Sequence, residues 1–296
     1  MNIQKWIKEN TASLSDKCVA ITGSTGGIGA ELCRYLAELG ASLVLMDRNP
    51  EKSRSLGEAL RRDFPDIEVR YIKTDLEDIE CVRDACDALK KIAPDILIHN
   101  AGAYSIPRHK CSTGYDNVFQ INFLSPYFIT KELLPTLREK NGRVIAVGSV
   151  AHDYSVTDPD DTDFSSRKKA SLVYGNAKRY LMFALHELFK NENDVHLAVT
   201  HPGITFTNIT AHYPKLIFAV IKHPMKVIFM KPKKACLSIL HGVFEDTPYL
   251  TWTGPRFFNV WGFPKTKKLT TASSEEISRI FSTAENLYGE IEERGS

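Results

Sequence analysis

Cys18-Val-Ala-Ile-Thr-Gly-Ser-Thr-Gly-Gly-Ile-Gly29 decides the fold. A short apolar run ends in a turn with glycines at 23, 26, 27 and 29, and a helical stretch then runs to about Gly40. Glycines at that junction let the backbone turn tightly and bring amide groups to a pyrophosphate at the helix N-terminus, where the dipole favours an anion. A strand, a glycine turn and a helix in this order are far more specific than a glycine run alone. Gly23, Ser24, Thr25, Gly27, Ile28 and Gly29 are therefore candidate nucleotide-binding residues.

Outward from this stretch, Ser42 to Leu45, Ile67 to Lys73, Asp95 to Asn100, Arg143 to Gly148 and Val195 to His201 read as further strands, with helical segments between them. Near-continuous apolar strands alternating with helices predict an α/β fold, a Rossmann-type doubly wound parallel sheet with helices on both faces. No linker, repeat or composition shift divides the chain, so residues 1–296 are expected to form a single domain.

The composition is that of an ordinary globule: 43% hydrophobic and 25% charged residues in 296, with a formal charge of +2. Nothing in it draws the chain toward nucleic acid. The six cysteines form no CxxC or His/Cys cluster, which predicts free thiols and no metal. Without an apolar signal core or spanning segment, a cytoplasmic location is expected. Ile3, Trp6 and Ile7 make one apolar face of a short helix, which reads as packing on the domain ahead of a membrane contact.

Asp47 lies at the end of the second strand, where a carboxylate can accept hydrogen bonds from adenosine ribose hydroxyls and repel a 2′-phosphate, favouring NAD. Arg48 keeps NADP open, since a guanidinium can pair with that phosphate. Asp75 and Leu76 end the third strand, and Asp75 could accept from the adenine amino group. Asn100, Ala101 and Gly102 end the fourth, with small residues that let backbone pass close to a nucleotide.

Tyr174 and Lys178 are four apart on a helix, so an ammonium can lie near a phenol and favour its ionised form. The spacing is weak evidence, because Tyr127 and Lys131 repeat it in an apolar stretch. Context separates them. The 174 pair follows a strand that ends in Ser149, whose hydroxyl suits a substrate oxygen gaining charge. The Tyr127 pair reads as structural.

In this order, Thr22-Gly-xxx-Gly-Ile-Gly29, Asn100-Ala-Gly102, Asn122, Ser149, Tyr174-xxx-Lys178 and Pro202-Gly203 resemble the short-chain dehydrogenases/reductases over roughly residues 16 to 210. Gly26 makes the glycine run fit the extended branch too, whereas Asn100-Ala-Gly102 and the chain length look like the shorter one. The resemblance implies hydride transfer between nicotinamide and a hydroxyl or carbonyl carbon, with Tyr174 moving the proton. It also implies that Lys178 binds the nicotinamide ribose and that Asn122 organises a relay water. Pro202, Gly203, Ile204 and Thr207 match the loop over the nicotinamide, with Ile204 using backbone groups and Thr207 its hydroxyl. A homodimer or homotetramer is common in that family.

Ser149 precedes Tyr174 by twenty-five residues, and the inserted stretch with His152 and Asp158-Pro-Asp-Asp161 is similar to the retinol dehydrogenase-like branch. So is Gly254-Pro-Arg-Phe-Phe258 followed by a terminal helix, which is expected from a capping box at Ser273-Ser-Glu-Glu276 toward Tyr288. Asp158 to Asp161 reads as a solvated loop and His152 as structural. Pro214 to Pro232 is apolar and studded with lysines, so residues 204–250 are expected to include a lid over a hydrophobic substrate such as a steroid, retinoid or lipid-like alcohol or ketone. Peripheral contact with a membrane surface is the lesser reading of that segment. The alternative function is a nucleotide-binding sensor or scaffold without turnover, disfavoured because Ser149, Tyr174 and Lys178 are all present.

Overall fold

The computed structural model describes residues 2–204 and 230–295. One eight-stranded sheet has the order β3-β2-β1-β4-β5-β6-β7-β8. The strands are β1 (Cys18–Thr22), β2 (Ser42–Asp47), β3 (Val69–Lys73), β4 (Ile96–His99), β5 (Arg143–Val147), β6 (His196–Thr200), β7 (Thr251–Phe257) and β8 (Trp261–Lys268). All neighbours are parallel except β7 and β8. The strand order reverses between β1 and β4, and that switch point leaves a crevice at the strands' C-terminal ends.

Successive strand residues go to opposite layers, as the pleat demands. Ala20, Val44, Leu97, Val144 and Val199 join one core with helices α4 (Ile79–Ile92), α6 (Ser125–Glu139), α7 (Ala170–Leu188) and α10 (Ser274–Gly295). Val19, Ile21, Leu45, Ile98 and Ala198 join the other with α1 (Ile3–Asn10), α2 (Gly27–Glu38), α3 (Pro50–Asp63) and α9 (Leu237–Phe244), which the short α8 (Pro232–Ala235) precedes. Both faces are covered, so the strands are apolar throughout.

Two features depart from the sequence reading. β7 and β8 carry Gly254, Pro255 and Pro264, residues that argue against a strand; the ladder accommodates them with a register shift between Pro255 and Phe257 at the sheet's edge. The last helix starts where expected, Glu276 N donating to Ser273 Oγ at 3.2 Å, but continues past Tyr288 to Gly295 because Leu287 and Ile291 stay on its buried face. Trp6 is 3% exposed and packs on His241 and Phe263, so it is core and offers nothing to a membrane. All six cysteines are free, as the spacing predicts.

Candidate active site

The glycine turn leaves β1 at Gly23, whose φ of +67° is left-handed and whose added Cβ would lie 2.9 Å from Ala101 Cα. At Gly29 a Cβ would sit 2.3 Å from Gly23 O. Both positions need glycine. Helix α2 opens at Gly27 behind Gly26, with no side-chain cap, so the amides of Gly27, Ile28 and Gly29 lack intrahelical acceptors. That is a fit for a diphosphate. Asn100 Nδ2 donates to Thr22 O at 3.0 Å and Gly23 O at 2.9 Å, so its side chain braces the turn. Thr22 Oγ1, which sequence reasoning passed over, accepts from Asn100 N and Ala101 N at 3.1 Å each.

Beside the turn lies a cleft of about 310 Å³, lined by Asp47, Arg48, Lys52, Asp75, Leu76 and Gly102 among others. Its strand-end carboxylate is already occupied. Asp47 accepts from Ser24 Oγ, from Ser53 Oγ at 2.8 Å, and from Thr25 N and Oγ1 at 3.1 and 3.0 Å. Four donors fill the acceptor capacity that the sequence reading reserved for ribose. Ser24, fully buried, likewise turns to Asp47 and away from the cleft. Arg48, by contrast, is 69% exposed, with a 3.5 Å contact to Glu77. Asp75 Oδ1 accepts from Glu77 N at 3.1 Å, and Leu76 O from Ser125 Oγ at 2.7 Å.

Ser149 follows β5, and Tyr174 and Lys178 share a face of α7 across from it. Ser149 Oγ accepts from Ala151 N at 3.2 Å, and its hydroxyl stands close enough to Tyr174 to favour the ionised phenol. Lys178 Nζ lies 5.8 Å from the centre of the Tyr174 ring and donates to Val147 O at 2.8 Å. Burial lowers the ammonium to about 7, and it raises the phenol to about 12 against the opposing effect of Ser149. This differs from the expectation that Lys178 would lower Tyr174. Lys178 is buried with its ammonium donating to Val147 O, and Tyr174 is partly buried, so desolvation outweighs their attraction.

Asn122 sits in a turn of π-helix, Gln120–Leu124, between α5 (Asn117–Phe119) and α6. Its Nδ2 donates to Val118 O and Ala103 O at 2.8 Å each, and its Oδ1 accepts from Ala103 N at 3.2 Å. The wide turn frees Val118 O for the side chain, and the asparagine pins the loop after β4 against Lys178. A Cβ on Gly102 would stand 2.9 Å from Asn122 Oδ1, so that loop also requires glycine. Tyr104, which the sequence did not signal, meets Tyr174 edge to face at 5.4 Å.

The insertion before Tyr174 is bolted down. Arg179, 3% exposed, pairs through Nε and Nη2 with Glu276 at 2.7 Å each and donates to His152 O at 3.1 Å. Arg108 reaches Asp116 at 2.8 Å and Phe164 O at 2.8 Å, while Asp116 N donates to Asp163 at 2.7 Å. Three sequence-distant segments thus frame α7. Tyr127 and Lys131 both bond Glu285 of α10, the lysine at 2.8 Å, which is a structural pair.

Pro202 and Gly203 are buried after β6, with Gly203 at φ +84°, and Ile204 O accepts from Met230 N at 3.0 Å. Thr207 and most of the expected 204–250 lid, including Pro214 to Met225, lie outside the described residues. Among the described residues no His, Cys, Asp and Glu cluster suits a metal, and no helix is long and apolar enough to cross a membrane.

Residues 17–215 match the family described as short chain dehydrogenase. The chain is 31% identical over 244 residues to an Arabidopsis thaliana dehydrogenase/reductase, SDR family member FEY, covering 77% of this chain but 64% of that relative's length. It is 27% identical to human polyprenol dehydrogenase, covering 89% of this chain and 82% of the relative. Mouse retinol dehydrogenase 12 is 31% identical, over 66% of this chain and 63% of its own length. Among solved structures, a protein from Mycobacterium paratuberculosis superposes with a TM-score of 0.75 at 24% identity, covering 95% of this chain and 96% of that one. A short-chain dehydrogenase from Sphingobium yanoikuyae, in complex with NADPH, gives 0.59 at 21% identity, over 76% and 84%.

Proposed function

The chain belongs to the short-chain dehydrogenase family, and from that premise we propose that it is an NADP(H)-dependent alcohol dehydrogenase or ketone reductase for a hydrophobic substrate. The observation that carries this reading is the meeting of Ser149, Tyr174 and Lys178 at the C-terminal ends of β5 and α7's first turns, beside a glycine turn suited to a diphosphate. Bound nicotinamide supplies or accepts the hydride. In oxidation, Tyr174 as phenolate takes the substrate hydroxyl proton as hydride leaves the same carbon; in reduction it returns that proton to the carbonyl oxygen. Ser149 donates to that oxygen as charge builds on it. Once Tyr174 is ionised, the neighbouring Lys178 ammonium is favoured too, so the pair charges together. Asn122 is proposed to hold the loop on which Lys178 depends and to anchor a relay water.

Two supports bear on the finer choices. Asp47 has its acceptor sites filled by Ser24, Thr25 and Ser53, whereas exposed Arg48 lines the same cleft with Lys52. Two cations at that rim suit a 2′-phosphate, so we favour NADP over NAD. For the substrate, relatives named for polyprenol and retinol act as guides to an apolar alcohol or its carbonyl. Purified protein should change absorbance at the reduced-nicotinamide wavelength with a panel of retinoid, steroid and prenyl alcohols and ketones. Tyr174→Phe should lower that turnover by at least about a hundredfold. Turnover that survives the substitution would refute the mechanism.

A further inference from the structure

We propose that the β7–β8 hairpin tip, Phe257 to Trp261, is a wedge that seats the protein on an anionic lipid surface. Val260 N donates to Phe257 O at 3.0 Å, and the two residues between them, Phe258 and Asn259, are left-handed at φ +52° and +57°. Such a turn selects glycine or asparagine at both central places, because a side chain there crowds the backbone. Asn259 obeys. Phe258 does not, and a bulky aromatic in the left-handed region costs roughly 1–2 kcal/mol. Among the described residues nothing recovers that cost, since Phe258 is 86% exposed; Phe257 and Trp261 beside it are 57% and 42% exposed.

The display is rigid. Asn259 O bonds His201 Nε2 at 3.1 Å, and Lys267 Nζ donates to Asn259 Oδ1 at 2.6 Å and to Pro255 O at 2.8 Å. The surrounding charge has one sign. Residues 230–274 hold seven lysines and arginines against two acids, Glu245 and Asp246, while the whole chain has a net charge of only +2. Asp246 lies at the far end of the sheet, bound to Arg143 and His196, the first residues of β5 and β6. Arg256 and Lys265 flank the tip and are exposed, as are Lys231 and Lys233 on the neighbouring segment.

Phenylalanine and tryptophan at the apex with basic residues behind them match the headgroup boundary of an anionic bilayer. A second copy of the chain fits less well, because a two-fold contact through this tip would oppose two cationic surfaces. The wedge also stands beside the candidate active site: a Cβ on Gly203 would meet Pro255 Cγ at 2.9 Å and Val260 O at 3.0 Å. Seating the tip would turn the end of β6 toward the bilayer, a source of apolar substrate.

Co-sedimentation of the full chain with phosphatidylcholine vesicles, with and without phosphatidylserine, tests this without cofactor or substrate, so it is decided separately from the proposed reaction. Binding is expected with phosphatidylserine and is expected to fall about tenfold in Phe258→Asn, from loss of one inserted ring. Asparagine suits the left-handed site, so the variant should keep or raise its thermal midpoint and failure to fold does not confuse the result. Brominated lipid should quench fluorescence through Trp261, because Trp6 and Trp252, the other two tryptophans, are each 3% exposed. Absence of vesicle binding, unchanged binding of Phe258→Asn, or a vesicle-free dimer that this variant dissolves in place of vesicle binding would overturn the proposal.

Discussion

Arg48 and Asp47 are adjacent in sequence and opposite in circumstance. The carboxylate is buried under four donors, and the guanidinium stands in solvent at the cleft rim. Arg48→Ala should therefore raise KM for NADPH about tenfold or more while leaving kcat and NADH kinetics little changed. Equal losses with both cofactors would place the phosphate elsewhere. Asp47→Ala should act on stability, by about 2–3 kcal/mol in denaturant unfolding, because Ser24 and Ser53 would lose a charged acceptor in a buried place. The sequence shows both side chains at a strand end but cannot show which is already satisfied, since Ser53 comes from the next helix and meets Asp47 only when α3 folds back.

At the scale of elements, α7 carries Tyr174 and Lys178 and is held by the Arg179–Glu276 pair to α10 and by Arg179 to His152. Removing one partner from a buried pair leaves the other charge uncompensated. Glu276→Gln is expected to cost about 3 kcal/mol, read from the urea midpoint, and to lower kcat because the insertion beside Ser149 loses its anchor. Thr157→Val, which removes a single 3.0 Å bond to the same glutamate, should cost about 1 kcal/mol or less. If the two variants unfold at one midpoint, the pair does not hold the insertion. Tyr174 and Lys178 were readable from their place after a strand that ends in Ser149, whereas Arg179 looks like any helix cation until Glu276 of α10 reaches it.

Over the whole molecule, burial keeps several titrating groups neutral. His99 is lowered to about 3, and His186 and His201 to about 4, from the ordinary 6.5. As pH falls below 6.5 the unfolded chain takes up these protons and the native one does not, so stability drops, by up to about 1.4 kcal/mol per pH unit for each imidazole. Lys178, lowered to about 7 from 10.5, works in the same sense: stability rises from pH 7 to about 10 as the unfolded lysine gives up its proton. A thermal midpoint that stays flat between pH 6.5 and 4 would contradict this. The sequence by itself determined the parallel sheet and the order of Gly23, Asn100, Ser149, Tyr174 and Lys178, because apolar periodicity and glycine requirements are local properties of the chain. Only the tertiary structure decided that Asp47 is occupied, that burial sets Tyr174 and Lys178 apart, that Trp6 is core and that Phe258 stands out, because each depends on which distant atoms displace water.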